Sequence, residues 1–379
     1  MPALDPRAIL DVRPPGRPSL GVVVAIAVSS ACLLVALVVT SAQGPTFLEG
    51  LFLAVLPLPL LLAGVLALDR LEPEPPDALV VAFLWGAGVS VLVAMGINTA
   101  GLTLLWTPLL GQEEGFVVTA VLTAPVVEET LKALVLVGML GFRRHELNGP
   151  TDGIIYGSMV GLGFATVENV HYYTTAGPEG LAVTFLARGL LSPLVHPLCT
   201  SLTGIGVATA ALAPRGRPRV RPVLLGLLAA MTYHALWNAA PSFGVEPVVA
   251  VYLLGLVLVV VLLVVVRTDR ARIVGLIGRH LPPYAALGVV TRPDLVMLTS
   301  LARRRRARAQ VRAAGGAGPA RALRDYQQAA TELAMLHRRF DRGLVDPAAF
   351  EGRRGPLLAL MGAAHRVFSP LWRPGDPPR

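Results

Sequence analysis

Apolar runs of roughly 18 to 20 residues or more, each long enough to cross a bilayer as a helix, follow one another through the first two-thirds of this chain. In hydrocarbon every backbone N–H and C=O must be satisfied within the segment, so such runs fold as helices. Composition agrees: 54% of residues are hydrophobic and 15% charged, against about 45–50% and 25% in an ordinary soluble domain. The pattern predicts an all-α polytopic protein of the cell membrane. Eight spans are expected, at 20–41, 48–69, 77–106, 115–141, 152–174, 180–213, 222–241 and 246–266, the third and sixth long enough to tilt or break. The segment before the first span, MPALDPRAILDVRPPGRPS, precedes no small-residue cleavage site, so that span reads as a retained helix. Cys32 and Cys199 both fall in apolar runs, which argues against a disulfide framework.

Arginine placement sets the expected topology. Arg7, Arg13 and Arg17 precede the first span, Arg70 follows the second, Arg143 and Arg144 follow the fourth, and Arg215, Arg217, Arg219 and Arg221 follow the sixth. The alternate loops carry no Lys or Arg, so both termini are expected in the cytoplasm. Three regions result: a cytoplasmic segment 1–19, a transmembrane region 20–266 with its chemistry in 115–241, and an Arg-rich region 267–379. Within the last, RALRDYQQAATELAMLHRRFDRGL reads as an amphipathic helix with Leu323, Ala330, Leu333, Leu336 and Phe340 on one face, after a hinge at 315–319. The run RRRRAR at 303–308 is expected near anionic lipid of the bilayer. It lacks the interleaved aromatics of a nucleic-acid arm, so no nucleic-acid partner is expected.

Ionisable groups in hydrocarbon cost about 2.5–3.5 kcal/mol each on insertion scales and mark functional sites by default. Here they concentrate in four successive spans: Glu128, Glu129 and Lys132 in the fourth, Glu168 and Asn169 in the fifth, Arg188 and His196 in the sixth, His234 and Asn238 in the seventh. Lys132 is the one lysine among 33 cationic side chains. At about 1.5 Å of rise per residue these groups lie at similar depth, so they are expected to face one another. Glu128 and Lys132 stand i,i+4 with the acid first, the favourable order for an ion pair. His234 and Asn238 share a face at the same spacing, and Gly157, Gly161 and Gly163 would admit a neighbouring helix closely.

Blander readings exist for each group. A Glu128–Lys132 pair could merely neutralise charge for insertion, but a Leu-rich helix would avoid that cost altogether. Glu168 reads equally as a buried structural acid, Asn238 as an interhelical hydrogen bond, and Arg188 as the partner of an acid such as Glu168. The His196–Cys199 spacing is a weak metal signal.

A carboxylate beside a histidine can take a proton from water, while a second histidine and an amide stabilise an oxyanion. No Ser–His–Asp set, paired membrane aspartates or HExxH helix is evident. What remains is water activated by Glu128 or Glu129, metal-free or metal-assisted; Glu129, Glu168, His196 and His234 could together ligate a divalent ion such as zinc. A proton-coupled transporter could use the same groups as a relay, although no inverted repeat is visible. A catalytically inactive scaffold would have no need to keep all of them.

The segments EETLK at 128–132, DGIIYGSMVGLGFATVEN at 152–169, RGLLSPLVHPL at 188–198 and YHALWN at 233–238, taken in this order, resemble the PrsW-type intramembrane proteases. That family is distantly related to the CAAX prenyl protease and bacteriocin-processing group. The resemblance covers roughly 115–241. It implies Glu128, Glu129 and His196 as essential residues, with Glu168, His234 and Asn238 completing the site. It further implies cleavage of membrane-embedded protein substrates, typically single-span anti-sigma factors already trimmed by another protease, with a metal or with none. The long C-terminal region is a departure from the compact family core.

Overall fold

The computed structural model describes residues 6–10, 19–68, 74–213 and 219–373. Of the arginines used to read topology, Arg13, Arg17, Arg70, Arg215 and Arg217 lie outside the described residues, as does the side chain of Arg7. No strand occurs among the described residues.

Helix α1 is Leu20–Ser41, its first turn closed by the Ser19 hydroxyl accepting from the Val22 amide. Helix α2 is Phe47–Leu68 and α3 is Pro76–Leu110, the latter loosened into π turns at Trp85–Ser90 and Leu102–Trp106. Gly111, at φ +92°, breaks the chain before residues 112–123, which lead into α4, Ala124–Phe142. Helix α5 is Pro150–Phe185, α6 is Val195–Ala211, α7 is Val220–Ala239 and α8 is Val245–His280. By length and composition six helical stretches qualify to cross a membrane; 150–211 counts as one of them, and 112–142, with its three charges at 128–132, is not among them.

The stretch 150–211 is a helical hairpin. It reverses at Gly177, whose φ of +65° suits glycine, followed by Pro178. Arg188 then meets Glu168, and a Cβ on Gly161, Gly157 or Gly153 would touch the backbone of His196, Thr200 or Gly204, so the two legs run antiparallel in near contact. Side chains there would force the legs apart, which is the close approach expected of Gly157 and Gly161. Gly163 plays the same part against Phe83 of α3. The second leg breaks at Ser192–Leu194, before Pro197.

Helix α5 is the centre of the bundle: every residue from Thr151 to Ala165 is buried. Its start is fixed by Asp152, which accepts from the amides of Asn148 and Gly149 at 2.6 and 2.9 Å. The outer helices expose large apolar side chains such as Leu34, Val38, Leu60 and Leu256, a surface suited to lipid rather than water.

Helix α8 continues past Val266 for about 20 Å, and a second core forms on this extension. Ile273, Ile277 and Leu281 pack with Leu323, Tyr326, Leu333, Leu357 and Phe368. The partners lie on α11 (Ala317–Asp341) and α12 (Pro347–Phe368), and Met297 and Leu298 of α9 (Arg292–Leu298) with Ala307 and Val311 of α10 (Leu301–Gly315) complete the core. Helix α11 is the expected amphipathic helix, with Leu323, Ala330, Leu333 and Leu336 buried and Phe340 more open. The short helix Pro6–Leu10 packs on the same core through Ile9 and Leu10. Arg339 reaches back to His145 and Asn148, tying this unit to the turn before α5.

Candidate active site

Lys132 organises the centre. Its ammonium has three protons to donate and finds three acceptors: Glu129 Oε1 at 2.9 Å, His196 Nδ1 at 2.9 Å and Glu128 Oε2 at 3.4 Å. It also lies over the Phe164 ring, 3.6 Å from the centroid, a cation–π contact strengthened by exclusion of water. One helical turn of α4 thus supplies two acids and their counter-ion, and α5 and α6 close over them.

The two adjacent glutamates differ. Glu129 is fully buried: besides Lys132 it accepts from His234 Nδ1 at 3.0 Å and from the Thr200 hydroxyl at 3.4 Å. Glu128 faces a cavity of about 280 Å³. Apart from Lys132, its hydrogen-bond partner among the described residues is Asn98 of α3, whose Nδ2 donates to Oε1 at 3.4 Å. Because Glu129 holds His234 by Nδ1, that ring turns Nε2 towards Glu128 Oε2, 3.9 Å away. Two acceptors therefore face one another across a gap with no proton of their own between them. A water or a cation would bridge it.

His196 is placed otherwise. Lys132 donates to its Nδ1, so Nε2 carries the proton and donates to Glu168 Oε2 at 2.8 Å. Glu168 is also paired with Arg188, as the sequence anticipated, and Arg188 Nε donates to Asn169 Oδ1 at 2.9 Å. The guanidinium lies over Tyr172 at 3.8 Å from the ring centroid. The His196 and His234 rings meet edge to face at 5.1 Å. Asn238 donates to the Ala120 carbonyl at 2.8 Å, the interhelical bond weighed for it, while lining the cavity.

All nine residues singled out from the sequence are thus brought to one place, eight of them linked through side-chain bonds and Asn238 joined to them at the cavity wall. Sequence reasoning missed Asn98, Thr200 and Phe164. Asn98 carried a signal, being an amide inside an apolar span; Thr200 and Phe164 carried none, because a threonine or a phenylalanine in a membrane helix is ordinary.

Among the described residues, Glu128, His196 and His234 bring ligating atoms within 4.8 Å of one another, as do Glu129, Cys199 and His234. One carboxylate with two imidazoles suits zinc. Lys132 opposes a divalent ion, but three carboxylates against Lys132 and Arg188 leave the cluster an acidic balance. In the first group His234 already shows the support typical of a metal-bound imidazole, its other nitrogen held by a carboxylate.

Fold and site together define a polytopic helical membrane protein with a buried acid–imidazole centre. Residues 74–266 match the profile of the PrsW family of intramembrane metalloproteases, and the chain belongs to that family, an intramembrane protease by kinship. It is 27% identical over 191 residues to Protease PrsW of Clostridioides difficile (strain 630), spanning 50% of this chain and 78% of that protein. Over 153 residues it is 32% identical to Protease PrsW of Geobacillus kaustophilus (strain HTA426), covering 39% of this chain and 61% of the relative. Protease PrsW of Bacillus subtilis (strain 168) is 31% identical over 118 residues, 31% of this chain and 51% of its own length. No solved structure matches.

Proposed function

We propose that the protein hydrolyses peptide bonds of membrane-embedded protein substrates with Glu128 as general base. The observation that carries this reading is the 3.9 Å gap between Glu128 Oε2 and His234 Nε2 at the edge of the cavity. A water admitted there donates one proton to each acceptor. Glu128 takes a proton as the water attacks the scissile carbonyl and returns it to the leaving amine. His234, turned by Glu129, orients the water. Arg188 and Asn169, both on the cavity wall, supply N–H donors for the developing oxyanion. Glu128 and His234 would hold a divalent ion, with His196 as third ligand once one of its nitrogens gives up its bond to Lys132 or Glu168. When bound, that ion lowers the pKa of its water and polarises the carbonyl.

The same reading takes the chain across the membrane eight times, with 112–142 as the fourth crossing and the legs of the 150–211 hairpin as the fifth and sixth. Both termini are then cytoplasmic, which the packing of Ile9 and Leu10 on the C-terminal core supports. Substrates with one span, such as anti-sigma factors, fit a cavity enclosed by helices, and the basic C-terminal unit would lie against anionic lipid.

The test uses reconstituted protein and a fluorogenic single-span peptide. Cleavage by wild type and its loss in Glu128→Gln and His234→Ala is expected. Absence of cleavage, with proton flux that depends on Glu128, would instead establish a relay and a transporter.

A further inference from the structure

The C-terminal unit contains a second polar hollow, far along the chain from the membrane centre. Helices α10 and α11 form a hairpin around Gly316, at φ +79°. Between them lies an open hollow of about 460 Å³ lined by Arg308 and Arg312 of α10, Arg321 and Arg324 of α11, and Ala309, Ala317 and Ala320. The spacings are i,i+4 and i,i+3, so each helix turns two guanidiniums to the same side. The small residues of the turn, Gly-Gly-Ala-Gly, put no long side chain into the space.

Several arginines elsewhere in this unit have partners. Arg354 pairs with Glu351, Arg353 with Glu332, and buried Arg304 donates to the Leu298 carbonyl and the Thr331 hydroxyl. The four around the hollow make no hydrogen bond or ion pair with any described residue, within 4 Å for the ion pairs. Asp325 is the acid that feels Arg321 and Arg324. Arg308 is half-buried, and its burial and the nearby charges of Arg324 and Arg305 push its pKa down. Arg312, Arg321 and Arg324 are exposed to solvent, so the four like charges gather around one space that an anion can enter from outside.

We infer that this hollow is a binding site for a multiply phosphorylated anion, taken either free in solution or as a phospholipid headgroup. Guanidinium forks match phosphate oxygens two at a time. Four of them match a ligand of two or three phosphate groups, and the volume is sufficient for one.

The test is titration of the full chain in zwitterionic detergent, at a fixed physiological salt concentration, with inorganic tripolyphosphate and separately with a short-chain phosphatidylinositol bisphosphate. Saturable one-to-one binding of tripolyphosphate, weakened at least tenfold in Arg308→Gln/Arg321→Gln, would assign a free phosphate ligand. Binding of the phosphatidylinositol bisphosphate alone, weakened likewise, would assign the lipid headgroup. Arg306→Gln/Arg366→Gln, which removes the same charge from exposed positions outside the hollow, is expected to retain binding. No saturable binding of either probe to wild type, or equal loss in both double variants, would overturn the inference. The readout is independent of proteolysis, so it stands apart from the proposed activity.

Discussion

His234 Nδ1 and Glu129 Oε1 meet at 3.0 Å in a place where neither residue is more than 2% exposed. The bond joins two helices, fixes the tautomer of the imidazole and directs its other nitrogen to Glu128. One acid therefore orients, and its sequence neighbour faces the cavity. The two glutamates should fail differently when changed.

Glu128→Gln is expected to lower kcat by about 10²–10⁴-fold, the usual worth of a general base, with little effect on the melting temperature. Glu129→Gln should abolish activity and also destabilise, because it takes the nearest carboxylate from Lys132. Breaking a buried pair costs about 3–5 kcal/mol. Thermal unfolding in nanodiscs beside a cleavage assay separates the two; equal melting temperatures would refute the division of roles.

Lys132→Met should be among the most destabilising single changes in the bundle. It leaves Glu128 and Glu129 without their cation, and His196 Nδ1 without its donor. Adding Glu129→Gln removes the nearer and more deeply buried of the two uncompensated carboxylates. The double variant is therefore expected to recover about half or more of the lost stability, on the general finding that replacing a whole buried pair is often neutral, while remaining inactive. Non-recovery would place the effect of Lys132 in packing against Phe164 rather than in charge.

The all-helical membrane character and the polar set were legible because both follow from one cost, that of polar groups in hydrocarbon. Glycines 157, 161 and 163 were legible for a related reason, since close helix approach needs a missing side chain. The division of labour between Glu128 and Glu129 was not: adjacent residues on α4 point 100° apart, and only the positions of α6 and α7 decide which is enclosed. Asn98 was passed over because a neutral amide costs less than a charge. The core built on the end of α8 was equally hidden, since an Arg-rich sequence reads as solvated until its apolar stripe is paired with others.

Asn98→Ala should cost about 2- to 10-fold in kcat, the equivalent of one modest hydrogen bond of about 0.5–1.5 kcal/mol, with KM near wild type. Asn98→Asp would place a further acid against Glu128 and should be far worse. Similar losses for both substitutions would indicate that Asn98 acts by filling space rather than by donating to the carboxylate.

Metal content gives the last expectation. Purified wild type should carry close to one divalent ion per chain by elemental analysis, and His196→Ala, His234→Ala and Glu128→Gln should each lose it. Glu129→Gln keeps all three of those ligating groups but removes the carboxylate behind His234. Loss of such a supporting partner typically weakens metal affinity by about 10–100-fold. This variant should therefore bind metal in a titration, at a correspondingly higher Kd. Unchanged affinity in Glu129→Gln would show that His234 is not a ligand. A chelator-treated enzyme of full activity would assign the gap between Glu128 and His234 to water alone.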